Sequence, residues 1–287
     1  MNAIITAGTG YREDELQIFL RSVESHCNQT KVFLIVLKHH SNLAKSLQKK
    51  FPFVEIVYVD ANLQQLAKIF RWSAKYLNRK DYASTSSLFK LIGTSQLHIS
   101  LERYFIALNI VKSYGNSISN VLLSDSRDVV IQKDPFSLIN QKLVTGLEGN
   151  KIEACQYNSS WIKQIYGDEV LNQISDKRII CSGVTLGTRN EIEKYLTVMC
   201  DEIWQCLPRV NKGFGFDQGI HNYLIHQNKI DAELAENHQG TIATLQYENQ
   251  VNMYKNPVNR LVEIQGEYPA ILHQYDRYPD LLEFFSV

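Results

Sequence analysis

Two carboxylates and a guanidinium arrive in one short loop, Asp125-Ser-Arg127-Asp128, directly after the apolar run Val121-Leu122-Leu123. Acids this close together repel one another unless a cation lies between them, and hard carboxylate oxygens suit Mg²⁺ or Mn²⁺. A divalent ion held in this way commonly carries substrate phosphates. A short continuous apolar run suits a strand buried on both faces, and in open α/β sheets ligands bind beyond the carboxyl ends of such strands. The plain alternative is a polar turn in which Arg127 makes a surface pair with Asp125 or Asp128, an interaction of little energy. The loop by itself leaves both readings open.

Three further stretches hold residues able to do chemistry. In 213–224, two glycines precede Asp217-Gln218. Helix capping accounts for Asp217, and Ile220 and Leu224 face the core one turn apart, but Gln218 is left without a structural reason. In Arg178-Ile-Ile-Cys181-Ser182-Gly183-Val, a glycine interrupts an apolar strand, which marks close approach of another backbone or a ligand. Near the end of the chain, His273 follows Pro269-Ala-Ile-Leu272. A histidine there is commonly a satisfied structural one, yet neutral imidazole is also a frequent partner of carboxylates around Mn²⁺.

Alternating strands and helices must position these groups. Residues 3–7 predict a strand, broken by Gly8-Thr-Gly10 before a helix whose Glu13 and Asp14 suit a first turn. Leu16, Phe19, Leu20 and Val23 give that helix one apolar face. Residues 32–37 and 54–60 predict two more strands around a short helix at 43–50. The alternation implies an α/β domain with a mostly parallel sheet and helices on both faces. Residues 62–80 predict a helix with Leu66, Phe70, Ala74 and Leu77 on one face and a basic remainder, suited to solvent, an acidic partner or a peripheral membrane contact. A Ser/Thr-rich loop at 83–87 follows, then a helix at 97–114 that carries Arg103 toward the acid-bearing strand. Residues 152–157 form a candidate strand. Ser159 or Ser160 can cap a helix holding Trp161, and Asn190 can cap the next.

With 44% hydrophobic and 21% charged residues, the 287-residue chain has the composition of an ordinary globular protein. Thirty Lys plus Arg balance thirty Asp plus Glu, so no long-range field draws it to nucleic acid. No apolar run reaches spanning length, and the first residues lack the basic flank and length of a signal peptide, which points to a cytoplasmic protein with no integral membrane segment. Five cysteines without a Cys-x-x-Cys pair argue against a zinc knuckle and a disulfide framework. They read as reduced and buried, with core packing for Cys181.

Together, Asp125-Ser-Arg127-Asp128-Val-Val-Ile-Gln132-Lys-Asp134-Pro-Phe136, the Asp217-Gln218-Gly-Ile-His-Asn222 block and His273 resemble the nucleotide-sugar-dependent glycosyltransferases of the GT-A fold. In that family a buried strand ends in an Asp-x-Asp metal loop. The loop here is closer to a subset with Asp-x-Arg-Asp, and the block at Asp217 resembles the retaining, glycogenin-like and lipopolysaccharide galactosyltransferase-like members. The resemblance covers nearly the whole chain, with specific matches in three short blocks. It implies a single Rossmann-like domain over 1–287, with a nucleotide-binding half at 1–136 and a sugar and acceptor half at 137–287. It implies Mn²⁺ or Mg²⁺ on Asp125, Asp128 and His273, nucleotide contacts from Thr6, Ala7, Gly8, Tyr11 and Arg103, and sugar contacts from Arg127, Ser182 and Gly183. Asp217 would orient sugar hydroxyls and Gln218 would lie beneath the anomeric carbon. The expected activity is transfer of a sugar from a nucleoside diphosphate sugar to a glycan or other hydroxyl acceptor, with retention. Two other readings stay open. One is a non-catalytic nucleotide-sugar or glycan-binding protein on the same fold. The other is a sugar-phosphate nucleotidyltransferase, for which Gly8-Thr-Gly-Tyr-Arg12 lacks the longer glycine-rich loop and the following Lys.

Overall fold

Runs of apolar residues too short for helices and too continuous for half-exposed strands build the centre of the molecule. The computed structural model describes residues 1–59, 94, 97–207, 209–210, 215–247 and 253–286. The basic helix expected at 62–80, the loop at 83–87 and Gly213 lie outside these residues. In chain order the elements are β1 (Asn2–Ala7), α1 (Glu13–His26), β2 (Thr30–Leu37), α2 (Ser41–Lys50), β3 (Val54–Val59), α3 (Ile99–Tyr114), β4 (Asn120–Ser124) and β5 (Val129–Ile131). There follow β6 (Val144–Lys151), α4 (Gln156–Tyr166), α5 (Asp168–Ile174), β7 (Arg178–Thr188), α6 (Arg189–Cys206), α7 (Phe216–His226), β8 (Glu233–Ala235) and β9 (Ile242–Thr244). The chain closes with β10 (Met253–Asn256), β11 (Leu261–Ile264), β12 (Ile271–His273) and α8 (Pro279–Ser286).

A seven-stranded sheet runs in the order β3-β2-β1-β4-β7-β6-β8. β3, β2, β1 and β4 are mutually parallel, as the strand–helix alternation implies. β7 then runs antiparallel to both β4 and β6, and β8 lies parallel to β6. Both faces of the first half are packed. Ala3, Ile5, Val121 and Leu123 face the layer that contains Leu101, Leu108 and Leu196, whereas Ile4 and Leu122 face Leu16, Leu20 and Leu47. Side chains alternate across a strand, so only a continuous apolar run can serve two covered faces. Truncating the fully buried Leu122 to alanine would cost about 2–5 kcal/mol in lost burial and cavity.

Three local expectations are corrected. Residues 152–157 are not a strand: Ile152–Ala154 form a 3-10 turn and α4 begins at Gln156. Ile152 and Cys155 lie three apart, a helical spacing, and pack with Ile162, Ile174 and Ile179. Ser159 sits inside α4 and donates its hydroxyl to the Ile152 carbonyl at 2.8 Å, so neither it nor Ser160 is the cap. The cap of α6 is Thr188, which accepts from the Glu191 N–H, because β7 stays extended up to that residue. All five cysteines are free and buried.

A second sheet, β5-β12-β9, sets the site. β12 runs antiparallel to β5, with His273 opposite Val129, the residue after Asp128.

Candidate active site

Asp125 extends β4 by one residue, its N–H donating to the Gly183 carbonyl of β7 at 2.7 Å. The chain then leaves the sheet. Ser126 donates its hydroxyl to the Ala7 carbonyl at 2.9 Å, and the Gln274 N–H donates to the Asp128 carbonyl at 2.6 Å. These bonds, with the Val129–His273 pairing, bring the ends of β1, β4 and β12 to the middle of β7. Asp125 Oδ2 and Asp128 Oδ1 each lie 3.9 Å from His273 Nε2, and the three ligand atoms fall within 4.8 Å of one another. That distance is too long for a hydrogen bond. It falls between the ~3 Å and ~4.2 Å that separate adjacent and opposite ligands at ~2.1 Å from one ion. His273 is 1% exposed and its Nε2 has no hydrogen-bond partner. Leaving such an atom unpaired costs about 1–3 kcal/mol, which an ion between the three groups would offset. Gly183 keeps the space open: a Cβ there would stand 2.5 Å from His273 Nε2 and 2.8 Å from Asp125 Oδ2. The Arg127 surface pair with its loop neighbours does not form. Arg127 meets Asp276 at 3.3 Å and lies over the Tyr11 ring, 5.6 Å from its centre.

Arg103 of α3 joins this corner to α7. One terminal nitrogen meets Asp125 Oδ1, and the other meets Asp217 Oδ2 at 3.0 Å. Arg103 thus joins two acids that are 92 residues apart in sequence (217 − 125). Asp217 does not cap α7. The cap position belongs to Gly215, at φ +95°, where any Cβ would enter the Trp161 ring. Asp217 sits in the first turn instead, where the helix dipole favours an anion. Burial raises the Asp217 carboxyl above its usual range, opposed by Arg103, and burial raises Asp128 likewise, opposed by His273. Removing the Arg103 guanidinium would leave two carboxylates facing each other, a loss of about 3–5 kcal/mol for buried pairs.

Gln218 is held by a network that the sequence did not suggest. Its Nε2 donates to Glu148 Oε1 at 3.1 Å and to Asn158 Oδ1 at 3.3 Å, while its Oε1 accepts from the Cys181 thiol at 3.6 Å. Cys181 Sγ is also 3.6 Å from His273 Nδ1. Burial pushes the thiol well above its ordinary range, so it keeps its proton at neutral pH. Glu148 is buried, and burial raises its carboxyl too.

A cleft of about 560 Å³ collects these groups. Its lining includes Ala7, Tyr11, Arg103, Asp125, Arg127, Asp128, Ser182, Gly183, Asp217, Gln218 and His273. Thr6 lines a smaller space with Ala7, Arg103 and Ser182. Gly8 belongs to neither lining, and its Cβ position faces Leu34 and Leu16. Glu148, Asn158, Tyr157, Trp161 and Arg277 also line the cleft and were not singled out from sequence as site residues. Among the described residues no helix is long and apolar enough to cross a membrane.

No protein-family model matches the sequence, and no curated protein matches it. Among solved structures, that of mouse xyloside xylosyltransferase 1 in its apo form is similar at a TM-score of 0.51 and 11% identity, covering 95% of this chain and 97% of that chain. The chain therefore shares the mixed α/β fold of that structure, and Asp125, Asp128 and His273 of this chain cluster beyond the carboxyl end of β4.

Proposed function

We propose that this chain is a glycosyltransferase that moves a sugar from a nucleoside diphosphate sugar to a hydroxyl of a glycan or other acceptor, with Mn²⁺ or Mg²⁺ and with retention of configuration. The observation that carries the proposal is the convergence of Asp125, Asp128 and the unpartnered His273 Nε2 on one point of a cleft large enough for such a donor. Asp125, Asp128 and His273 would hold the ion, and the bound ion supplies positive charge for the departing diphosphate. Residues 1–136 would bind the nucleotide, with Thr6, Ala7, Gly8 and Tyr11 on the base and ribose side. Arg127 Nε is buried without a partner and is available to a phosphate or sugar oxygen. Residues 137–287 would supply the sugar and acceptor side. Ser182 and Gly183 border the transferred sugar, and Tyr157, 68% exposed beside Trp161, offers an aromatic face to an acceptor ring.

Retention rests on Asp217 and Gln218. An inverting enzyme needs a free carboxylate base aligned with the acceptor hydroxyl. Asp217 is engaged by Arg103, which suits a carboxylate that orients hydroxyls better than one that removes a proton. Gln218 then borders the anomeric carbon, its amide fixed by Glu148 and Asn158.

A thermal-shift screen of UDP-, GDP-, CMP- and dTDP-sugars with and without Mn²⁺ is expected to identify one donor through ligand-linked stabilisation that depends on the ion. Donor turnover must follow with that sugar. Binding without turnover, even with an acceptor panel, would leave a binding protein in place of an enzyme. Proton NMR of the first-formed product from an α-linked donor is expected to show the α anomer, and a β product would reassign Asp217 as a base.

A further inference from the structure

Four side chains between the cleft floor and the metal corner form a line of hydrogen bonds in which each donor and acceptor can be assigned. Glu148, as a carboxylate, only accepts, so the group bonded to its Oε1 must be the Gln218 amide nitrogen, at 3.1 Å. The same nitrogen donates to Asn158 Oδ1. Gln218 Oε1 therefore faces Cys181, and Glu148 reaches the same thiol; neither oxygen acceptor can donate, so the single thiol proton is directed to that side. That leaves only lone pairs on Cys181 Sγ to meet His273 Nδ1 at 3.6 Å, and Nδ1 must carry the imidazole proton. In the neutral imidazole the other ring nitrogen is then bare. It is Nε2, the buried atom without a partner that points between Asp125 and Asp128.

We infer that Cys181 is a positioning residue: by accepting from His273 Nδ1 and donating to Gln218, it holds His273 in the tautomer that presents an Nε2 lone pair to a divalent cation, and it ties that choice to Glu148. The role goes beyond core packing. It also gives Glu148 a function at a distance, because an acceptor-only group at the far end sets the direction of every proton in the line. The inference rests on the proposed reading of Asp125, Asp128 and His273 as the ion's ligands. Groups that orient a ligating imidazole through its second nitrogen commonly change metal affinity 10–100-fold when removed.

The test uses the full chain in two states. In the metal-free protein with ¹⁵N-labelled histidine, the His273 signals, identified by their loss in His273→Gln, are expected to show a protonated Nδ1 and an unprotonated Nε2. Cys181→Ala is expected to shift the ring toward the Nε2–H tautomer, and Cys181→Ser, which can both donate and accept, to restore the original. Glu148→Gln keeps the shape of the side chain beside Gln218 and the Cys181 thiol, yet the amide can donate as well as accept. It is expected to move the His273 ¹⁵N shifts in the same direction as Cys181→Ala. In the second state, Mn²⁺ affinity read by electron paramagnetic resonance of the free ion is expected to fall about tenfold or more in Cys181→Ala and to recover to within about threefold in Cys181→Ser. A protonated Nε2 in the unaltered metal-free protein would overturn the inference. So would equal Mn²⁺ affinity in Cys181→Ala. Failure of the unaltered protein to bind Mn²⁺ at all would instead sink the ligand reading on which the inference stands, and the tautomer measurement separates the two.

Discussion

Among the described residues two histidines are buried to 1% exposure or less, and they differ in what meets their nitrogens. His221 of α7 has both satisfied: Nδ1 lies 2.9 Å from the Tyr195 hydroxyl and Nε2 lies 3.3 Å from Thr145 Oγ1. His273 has Cys181 on one nitrogen and, on the other, two carboxylates beyond hydrogen-bond range. Burial drives His221 down to about 3, so it remains neutral throughout the physiological range. The contrast separates two uses of a buried imidazole. One completes a core in which every polar atom is paired. The other stores an unmet demand between two carboxylates, and a ligand can answer it.

The sharpest way to break the contrast is to fill the space at His273. Gly183→Ala puts a methyl 2.5 Å from Nε2 and 2.8 Å from Asp125 Oδ2, and the His273 ring, 1% exposed, has no room to retreat. Mn²⁺ affinity is expected to fall by more than about a hundredfold, a loss of over ~2.7 kcal/mol. Isothermal titration of Mn²⁺ is the measurement, and near-normal affinity would remove Gly183 from the site.

At the satisfied histidine the expected loss is of stability alone. Tyr195→Phe strips the partner from His221 Nδ1 and should cost about 1–3 kcal/mol in denaturant unfolding, with Mn²⁺-linked stabilisation unchanged. His221 should also shape the acid limb of the stability curve. The unfolded imidazole takes up its proton near 6.5 and the folded one only near 3. Between these values the unfolded chain binds the extra proton, so stability is full above pH 6.5 and falls as the pH drops. In Tyr195→Phe the curve should keep this acid slope, whereas in His221→Gln the slope should flatten.

Much of this contrast could be read in the sequence, and the unread part has a definite cause. Strands β1, β2 and β4 announce themselves because a strand covered on both faces carries a continuous apolar run, and Asp125 and Asp128 stand out against the run that precedes them. His273 and Gly183 were legible as candidates but not as neighbours. Their meeting depends on β12 pairing with β5 and on β7 pairing with β4, contacts that no local pattern encodes. Glu148 was missed because an acid in the middle of a strand ordinarily points to solvent. Irregular register between β6 and β7, with shifts on both sides of Leu147, interrupts the simple alternation from which its facing would be read. Gly215 as the cap of α7 was hidden by Asp217, a better capping residue by type that is drawn aside by Arg103.

Asp128 offers a smaller effect of opposite sign. Its raised carboxyl means that the folded state, without an ion, disfavours the charge, through burial first and then through the neighbouring Asp125 and Asp276. Asp128→Asn is therefore expected to stabilise the metal-free protein at neutral pH by about 1 kcal/mol while abolishing Mn²⁺-linked stabilisation and sugar transfer. At low pH the advantage should vanish, since the unaltered carboxyl is then protonated in the folded state before it is in the unfolded one. A thermal-shift series over pH with EDTA and with Mn²⁺ reads both signs. Lower stability of Asp128→Asn in EDTA would mean that the charge is satisfied by His273 and Arg277 without any ion.

The smallest effect is expected at Gly8, where the sequence resemblance and the packing point to different roles. The resemblance assigns Gly8 to the nucleotide, a position where a side chain would block the ligand. In the structure its Cβ direction faces two leucine methyl groups, 2.8 Å from Leu34 Cδ1 and 3.3 Å from Leu16 Cδ1, and its N–H donates to the Ile35 carbonyl at 2.9 Å. Overpacking of this kind costs about 1–3 kcal/mol when the neighbours are fixed. Here the obstructing atoms are the ends of flexible side chains, and the lost freedom of glycine in the unfolded chain returns about 0.4–1 kcal/mol. Gly8→Ala should thus lower stability by about 1 kcal/mol or less and leave Mn²⁺ affinity unchanged. Its effect on nucleotide binding decides between the two roles. Donor-linked stabilisation equal to that of the unaltered protein would make Gly8 a packing glycine beneath α1, and a clear loss of it would mean that the nucleotide approaches the β1 turn more closely than the lining of the cleft extends.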